Sequence, residues 1–333
     1  MSDKNSERDS GLVQNYKEKV LQGESLTQEE ALKLYEEAPL EELLDAADKV
    51  RKHFCGDGFD LCTIINGKSG KCSENCRYCA QSVFYHTSVE SYGLLNEEEM
   101  VSAARKNAAD GVLRFSIVTS GKALCDEEVE QVCERIRAIR SQADLKVCVS
   151  FGLLNESQFR KIKEAGAGRV HCNLETSRAY FPSVCTTHTF DDKIRTLQAA
   201  RKAGLSICSG GIMGLGESPA DRIDMAFTLK ELHVRSVPVN FLNPIAGTPF
   251  AQNALLSEEE KKRVIAVYRM ILPDASIRLA GGRGLMPDKG EGCFLGGANA
   301  AITGDMLTTA GISTKTDQEL LKKLGYKVEL WNE

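Results

Sequence analysis

The sequence has no apolar run close to the roughly 18–20 residues that a helix needs to cross a bilayer, so an integral membrane protein is not expected. It also lacks an excess of basic residues, since 42 Lys and Arg stand against 47 Asp and Glu. The resulting net charge of −5 offers no basic surface to a phosphate backbone, and nucleic acid is not expected as a partner. The first ten residues lack the apolar core of a signal peptide, which predicts a cytoplasmic protein.

Cysteine, in contrast, is abundant, with 12 residues in a chain of 333. In a reducing compartment these thiols stay free, so metal binding or catalysis becomes the leading use for some of them. Cysteine is also a common small buried apolar residue. We interpret Cys55, Cys125 and Cys133 in this second way.

The spacing of apolar and charged residues divides the chain into an N-terminal region and a larger C-terminal region. Residues 1–10 are polar and without periodicity, which predicts a disordered tail. Residues 11–55 are predicted to form an N-terminal helical extension, because residues 31–52 alternate apolar and charged side chains at helical spacing. Thr27 and Glu30 within it have the spacing of a capping box.

From residue 56 the pattern changes to short apolar runs separated by amphipathic stretches that end in glycine. The predicted strands are residues 59–65, 112–118, 145–151, 169–174, 205–212, 236–242 and 275–280, with a weaker eighth at 298–303. Strands that alternate with helices indicate βαβ units and a parallel sheet. Several runs contain polar or sulfur-bearing residues, which are costly in a doubly wound sheet but can face the lumen of a barrel. We therefore predict an α/β fold, a (β/α)₈ TIM-type barrel over residues 56–320, followed by a C-terminal tail at 321–333.

Three cysteines follow the first predicted strand in the segment NGKSGKCSENCRYCAQS. Cys72, Cys76 and Cys79 have the spacing C-x₃-C-x₂-C, which suits three ligands of an iron–sulfur cubane with one iron left open. A structural zinc site is the alternative, but it usually needs four ligands in paired motifs. The five histidines form no such pair, and the sequence contains no second C-x₂-C motif.

This motif, with Tyr78 before its last cysteine, resembles the signature of the radical S-adenosylmethionine (SAM) superfamily. Further segments occur in the order that is typical of the biotin synthase family within it. These segments are HCNLETS, TTHTFDDKI, ICSGGIMGLGES, VPVNFLNPIAGTP, IRLAGGRG and EGCFLGGANA. The resemblance covers roughly residues 60–310 and implies a 4Fe–4S cluster that binds and cleaves SAM, so that the cofactors carry the radical chemistry and no side chain is itself catalytic.

The resemblance also implies roles for individual residues. It places the cofactor at Tyr78, Asn173, Glu175, Gly211, Ile212 and Gly214, with Glu175 holding the SAM ribose hydroxyls. The substrate is expected to contact Asn173 and Asn240. A strand-end amide that satisfies the backbone is the alternative for Asn240, and Gly281 and Gly282 can be turn residues.

The family's second, auxiliary iron–sulfur cluster is where this sequence departs from the pattern. Cys148, Cys208 and Arg278 match three of its ligand positions, but Ser116 stands at the fourth, and a hydroxyl is a poor ligand for soft metals. Cys172 and Cys185 stand where the family has other residues. We predict an auxiliary cluster, of the four-iron type rather than 2Fe–2S, on Cys148, Cys172, Cys185 and Cys208, with Arg278 nearby. The alternative is a two-iron cluster completed by Ser116 and Arg278; Cys62 is a further candidate, although buried packing is the preferred interpretation for it.

The resemblance implies conversion of dethiobiotin to biotin by radical sulfur insertion, with sulfur supplied by the auxiliary cluster. A flavodoxin or ferredoxin reductant and a homodimer are implied by the same resemblance. Two other functions remain open. One is a related radical SAM enzyme of the same branch, such as a hydrogenase-cofactor maturase, and the other is a non-catalytic iron–sulfur electron carrier or redox sensor.

Overall fold

The computed structural model describes the backbone of residues 3–330 and the side chains of residues 11–330. Three helices come first, and these are α1 (Asp3–Leu21), α2 (Gln28–Glu37) and α3 (Leu40–Cys55). The predicted capping box of α2 is confirmed, since the Glu30 backbone N–H donates to Thr27 Oγ1 and the Thr27 N–H donates to Glu30. Helix α1 includes residues 3–10, for which the sequence predicts a disordered tail, and residues 1 and 2 lie outside the described residues.

A closed parallel barrel follows these helices, which confirms the predicted fold. Its strands are β1 (Gly58–Lys68), β2 (Arg114–Thr119), β3 (Lys146–Ser150), β4 (Arg169–His171), β5 (Ser206–Cys208), β6 (Gly211–Met213), β7 (Ser236–Phe241), β8 (Ser276–Leu279) and β9 (Ala300–Ile302). Each strand pairs in parallel with its neighbour, and β9 pairs with β1 to close the barrel. The fifth barrel strand is divided into β5 and β6, which both pair with β7.

Helices cover the outside of the barrel between successive strands. They are α4 (Glu97–Ala109), α5 (Asp126–Gln142), α6 (Glu156–Glu164), α7 (Phe190–Lys202), α8 (Pro219–Glu231), α9 (Glu258–Ile271), the short α10 (Glu291–Leu295) and α11 (Thr314–Lys323). One apolar core joins these helices to the outward faces of the strands and to α1, α2 and α3. Within the described residues, no helix combines the length and the apolarity that crossing a membrane requires.

The C-terminal segment packs against the start of the barrel. Strand β10 (Lys327–Val328) pairs in parallel with residues 58 and 59 of β1, in the region where the sequence predicts a tail. Helix α11 is attached by a buried ion pair in which Arg283 Nη1 and Nη2 lie 2.8 and 2.6 Å from the two carboxylate oxygens of Asp317. Residues 331–333 lie outside the described residues, and the predicted boundaries between the regions remain predictions.

This ion pair should contribute strongly to stability. We expect Asp317→Ala to lower the free energy of unfolding by about 3–5 kcal/mol, because it leaves a buried guanidinium group without its counter-ion. Urea denaturation followed by circular dichroism measures the change. Lys323→Ala is the matched control, since it breaks an exposed pair on the same helix, Lys323 Nζ to Glu291 Oε1 at 2.8 Å, and should cost less than about 1 kcal/mol. Equal losses in both variants would contradict the expectation.

Candidate active site in the barrel lumen

The lumen of the barrel contains a cavity of about 390 Å³. Alternate residues of the strands line it, as the two-residue period of a strand requires. Strand β4 and the residues after it contribute Arg169, His171, Asn173 and Glu175. The wall is completed by residues of β1, β2, β3, β5, β6, β7 and β8, by the three-cysteine loop and by residues from the segment 302–309.

The three-cysteine loop lies at the carboxyl end of β1 and borders this cavity. Cys72 and Cys79 line the cavity, and Cys76 lies close to Cys79. Backbone hydrogen bonds fix the loop, since the Cys72 N–H donates to Gln81 O over 2.9 Å and the Val83 N–H donates to Cys72 O over 2.9 Å. The sequence motif is therefore folded around one edge of the lumen, although all three thiols are only half-buried.

Glu175 is the most unusual residue of the cavity wall. Its φ of +73° lies in the left-handed region, which is uncommon for a residue other than glycine, asparagine or aspartate. Its carboxylate is buried, and Oε2 has no hydrogen-bond partner among the described residues. Tyr78, from the three-cysteine loop, lies beside it. A strained backbone and an unpaired buried carboxylate oxygen together indicate a ligand-binding position.

The backbone of β6 approaches Glu175 closely. The Ile212 N–H donates to Glu175 O over 2.9 Å, and the Glu175 N–H donates to Gly210 O over 3.1 Å. A Cβ at Gly211 would lie 2.4 Å from Glu175 O and 2.5 Å from Met225 Sδ, so only glycine fits there. Ile212 lines the cavity and packs against a small apolar cluster, and Gly214 follows with a φ of +97°.

The two asparagines of the predicted substrate site both line the cavity. Asn173 Oδ1 accepts from the Gly210 N–H over 3.1 Å. Asn240 donates through Nδ2 to Gly211 O over 3.0 Å and accepts at Oδ1 from the Gly281 N–H over 2.9 Å. Asn240 therefore connects β6 to the turn after β8, as its alternative interpretation requires. One amide hydrogen and one acceptor lone pair of Asn240 remain for a ligand.

A cationic layer lies deeper in the lumen. Asp60 is fully buried on β1, and Arg114 Nε lies 2.7 Å, Arg278 Nη2 3.3 Å and Arg169 Nη1 3.9 Å from its Oδ2. Burial opposes the ionisation of Asp60, but the three guanidinium groups outweigh it and hold the pKa of its carboxyl below the usual value. Arg278 also donates through Nη1 to Asp60 O over 2.9 Å, while Nη2 makes no hydrogen bond within the described part of the chain. Arg278 Nη2 therefore remains available to donate a hydrogen bond to a ligand in this layer.

Three cysteines surround this layer: Cys62 on β1, Cys148 on β3 and Cys208 on β5. Burial raises the pKa of the Cys62 thiol to about 12 and also raises that of Cys148. Burial opposes ionisation of Cys208 too, but a hydrogen bond with His171 and the charge of Arg278 lower its pKa to about 7. Ser116 lines the same cavity from β2 and lies opposite Cys148 in the sheet register.

The other two cysteines of the predicted ligand set are not in this place. Cys172 is buried in the apolar core outside the lumen, since it lies between the inward residues His171 and Asn173 and must face the opposite way. Cys185 lies against Cys76 instead, and its Sγ is 3.3 Å from His188 Nδ1. The hydrogen bond with Cys76 lowers the pKa of Cys185 to about 3, although burial acts in the other direction. The structure therefore does not bring Cys148, Cys172, Cys185 and Cys208 together.

The structure adds residues that the sequence reasoning did not select. Asp60, Arg114 and Arg169 belong to the deep layer, and a charged residue at the inward period of an apolar strand is the signal that points to them. Lys193, near the start of α7, lies close to Glu175 and Cys76. No pattern in the sequence distinguishes Lys193 from the other charged residues of its helix.

A parallel barrel with a three-cysteine loop after its first strand is the arrangement of a radical SAM enzyme. The family model described as "Radical SAM superfamily" matches residues 68–229, and the "Biotin and Thiamin Synthesis associated domain" matches residues 238–327. A biotin synthase of Brachyspira hyodysenteriae is 55% identical over 314 residues, which cover 94% of this chain and 94% of that protein. Biotin synthase 2 of Corynebacterium diphtheriae is 56% identical over 319 residues, covering 96% of each chain. The chain therefore belongs to the biotin synthase family.

A solved structure of the FeFe-hydrogenase maturase HydG from Carboxydothermus hydrogenoformans has a similar fold. It superposes with a TM-score of 0.80 at 21% identity, over 94% of this chain and 78% of that chain. At this identity the likeness concerns the fold alone. The far higher identity to biotin synthases decides between the maturase alternative and the biotin synthase family.

Proposed function

We propose that this chain converts dethiobiotin to biotin by radical sulfur insertion. Its cysteines would hold a 4Fe–4S cluster with SAM at the mouth of the cavity and an auxiliary iron–sulfur cluster in its deep part. The observation that carries this proposal is that one continuous cavity is lined by Cys72 and Cys79 and also by Cys62, Cys148 and Cys208. A substrate between the two cysteine groups would contact both of the cofactors that the reaction needs.

The residues around the three-cysteine loop fit the first cofactor. SAM carries a ribose with two adjacent hydroxyl groups, and a carboxylate can accept a hydrogen bond from each. Glu175 offers such a carboxylate, with Oε2 unpaired, next to the loop. The apolar cluster that includes Tyr78 and Ile212 supplies a flat apolar surface for the adenine.

The donor set in the deep layer fits the second cofactor in a revised form. We assign the auxiliary cluster to Cys62, Cys148 and Cys208, with Arg278 as the neighbouring fourth group. Thiolates are the ligands that iron–sulfur clusters use, and the cationic layer offsets the negative charge of a thiolate-bound cluster. This assignment replaces Cys172 and Cys185 by Cys62, for which the sequence favours buried packing. Ser116 is close enough to share the cavity but remains a poor ligand for iron.

The two clusters and SAM would supply hydrogen abstraction and sulfur. The protein's side chains bind and orient the cofactor and the substrate and exclude water. Glu175 and Tyr78 position the nucleoside part of SAM. Asn173 and Asn240 offer an amide donor and acceptor to the ureido ring of dethiobiotin, and their bonds to the backbone of residues 210, 211 and 281 hold them rigid. The buried barrel wall keeps water from reactive carbon centres.

The test is biotin formation by the purified, reconstituted protein under anaerobic conditions with SAM, dethiobiotin and a strong reductant, read by mass spectrometry. Formation of 5′-deoxyadenosine without biotin would favour another radical SAM reaction. A cluster signal that does not respond to SAM would favour the electron carrier. Because exposed 4Fe–4S clusters and free thiols need reducing conditions, we propose that the protein works in the cytoplasm with a flavodoxin or ferredoxin as reductant, and as a homodimer like its family.

The role of Glu175 gives a quantitative prediction. We expect Glu175→Ala to weaken SAM binding by about 1.5–3 kcal/mol, the range for hydrogen bonds that involve a charged group. Equilibrium binding of SAM to the reconstituted protein measures this change. Glu175→Gln should lose less, because one acceptor oxygen remains.

The left-handed backbone at Glu175 provides the control. Glu175→Gly should weaken SAM binding like the alanine variant, yet its fold should be more stable than that of the alanine variant by up to about 1 kcal/mol, because glycine adopts a φ of +73° without strain. Equal losses of affinity at different stabilities separate a ligand contact from general damage to the barrel. Unchanged SAM affinity in both variants would contradict the assignment.

A further inference from the structure

Outside the lumen, a second group of metal-binding side chains lies behind the three-cysteine loop. The ligand atoms of Cys76, Cys185 and His188 all lie within 4.8 Å of one another, and Cys185 and His188 are buried. Cys185 Sγ is 3.3 Å from His188 Nδ1, and that nitrogen is 2.5 Å from Glu74 Oε2. We call Cys76, Cys185 and His188 the Cys₂His group.

The segments that carry the Cys₂His group are fixed to each other. The Arg77 N–H donates to Val184 O over 2.9 Å. Asn75 Oδ1 accepts from the Thr186 N–H over 2.9 Å, and Thr187 Oγ1 donates to Glu74 Oε2 over 2.8 Å. These hydrogen bonds join the three-cysteine loop to the segment before α7 and hold the Cys₂His group together.

The donor set is suited to a single thiophilic cation. Two sulfurs and one imidazole are common ligands of zinc, and three protein ligands leave a fourth position for water. Glu74 Oε2 contacts the same His188 Nδ1 atom, so a cation bound there would replace the proton between these two atoms, and the carboxylate would offset the charge of the cation. Cysteine binds a metal as thiolate, so binding of the cation would release the protons of the Cys76 and Cys185 thiols.

We propose that the Cys₂His group binds one divalent thiophilic cation, such as Zn²⁺, in chains that do not yet carry the 4Fe–4S cluster. The proposal rests on the proposed function only in that Cys76 is a ligand of that cluster. Because both sites use Cys76, the cation and the cluster exclude each other. Cys185 and His188 thus supply two cation ligands directly beside Cys76, and a cation bound there would compete with the cluster for the Cys76 thiolate.

The first test uses Co²⁺, whose thiolate charge-transfer and d–d absorption reports tetrahedral sulfur sites, with cluster-free Cys72→Ala/Cys79→Ala protein. This double variant removes the cluster loop as a competing site and leaves the Cys₂His group intact. We expect Cys185→Ala and His188→Ala, each added to this background, to remove one bound cobalt per chain. Adding Cys133→Ala, a buried cysteine of α5 far along the chain, should remove none. Equal cobalt binding with and without Cys185 would overturn the proposal.

The second test uses cluster assembly in the otherwise unaltered chain. One equivalent of Zn²⁺ per chain should slow iron–sulfur reconstitution of the wild type, which is followed by cluster absorbance. Cys185→Ala should be slowed less by zinc than the wild type, because only zinc bound by the loop cysteines themselves then competes with the cluster. Equal slowing of both proteins would overturn the competition. If no SAM-responsive cluster forms in either protein, the proposed function fails, while the cobalt result still tests the Cys₂His group. A wild-type melting temperature of Cys185→Ser shows that a loss of cation binding in this variant does not come from misfolding.

Discussion

Cys72→Ala should abolish the formation of 5′-deoxyadenosine from SAM. The substitution removes one of the three thiolates that we propose as the protein ligands of the 4Fe–4S cluster, and a methyl group cannot replace a soft ligand. Iron and sulfide analysis, together with chromatographic detection of 5′-deoxyadenosine after anaerobic reduction, measures the effect. Cys76→Ala should retain more cluster than Cys72→Ala, because Cys185 lies against Cys76 and offers a second thiolate at that corner.

The control for this experiment is Cys125→Ala, which removes an exposed cysteine at the start of α5. It should keep full cluster content and full SAM cleavage. If Cys72→Ala cleaved SAM at the wild-type rate with its cluster retained, the assignment to the radical SAM class would fail at its central residue.

Cys62→Ala should lower biotin formation by roughly 100-fold or more, while SAM cleavage at the other cluster stays within about tenfold of wild type. We expect this loss because Cys62 lines the cavity together with Cys148 and Cys208, the three residues to which we assign the auxiliary cluster. Iron content should fall to that of one cluster per chain. Mössbauer spectra of the variant and the wild type then show which cluster has been lost.

Cys172→Ala is the matched comparison, since it removes another buried thiol from a barrel strand segment. Its side chain packs in the apolar core, so we expect only the stability cost of a small cavity and wild-type iron content. The opposite pattern, with cluster loss in Cys172→Ala and none in Cys62→Ala, would restore the ligand set expected from the sequence. If neither variant lost the auxiliary cluster, Arg278 and Ser116 would remain as the candidates that complete its ligand set with Cys148 and Cys208.

The barrel could be predicted because its signals are local and repeated. Each strand is an apolar run, and several helices are amphipathic segments that begin after a capping residue such as Asn96, Asn155 or Ser257. The division of the fifth strand could not be predicted in this way. It depends on Gly210 and Gly211, where a Cβ would lie 1.9 Å from Pro238 O and 2.4 Å from Glu175 O, contacts between segments that are distant in sequence.

The candidate site could be predicted only in part, for a similar reason. The three-cysteine loop is contiguous, so its spacing alone shows the ligands. For the cysteines of the deep layer, the residue type alone does not identify a cluster ligand. The side chain must also point into the lumen, and its position in the two-residue period of the strand decides this. Applying the two-residue period from His171 and Asn173 would have placed Cys172 outside the lumen. Cys185 lies in a loop segment, where no periodicity predicts direction, and only the contact with Cys76 shows its position.

Closure of the barrel by β1 and β9 has a consequence for the order of events during synthesis. Cys62 lies in register with Ile302, and Arg278 donates to the carbonyl of Ala301. The deep layer is therefore incomplete on a ribosome that has translated only the segment of the radical SAM family model. Such a nascent chain presents an open parallel sheet with unpaired edges, which favours chaperone binding or aggregation.

Metal loading of the two cysteine groups should consequently be separated in time. The three-cysteine loop and its neighbours at Thr186 and Thr187 are translated early, and the hydrogen bonds that join Asn75 to these two threonines involve no residue beyond α7. Cys62, Cys148 and Arg278 meet only after nearly the whole chain has left the ribosome. Insertion of the proposed auxiliary cluster would thus be a post-translational event that proceeds through the mouth of a closed barrel.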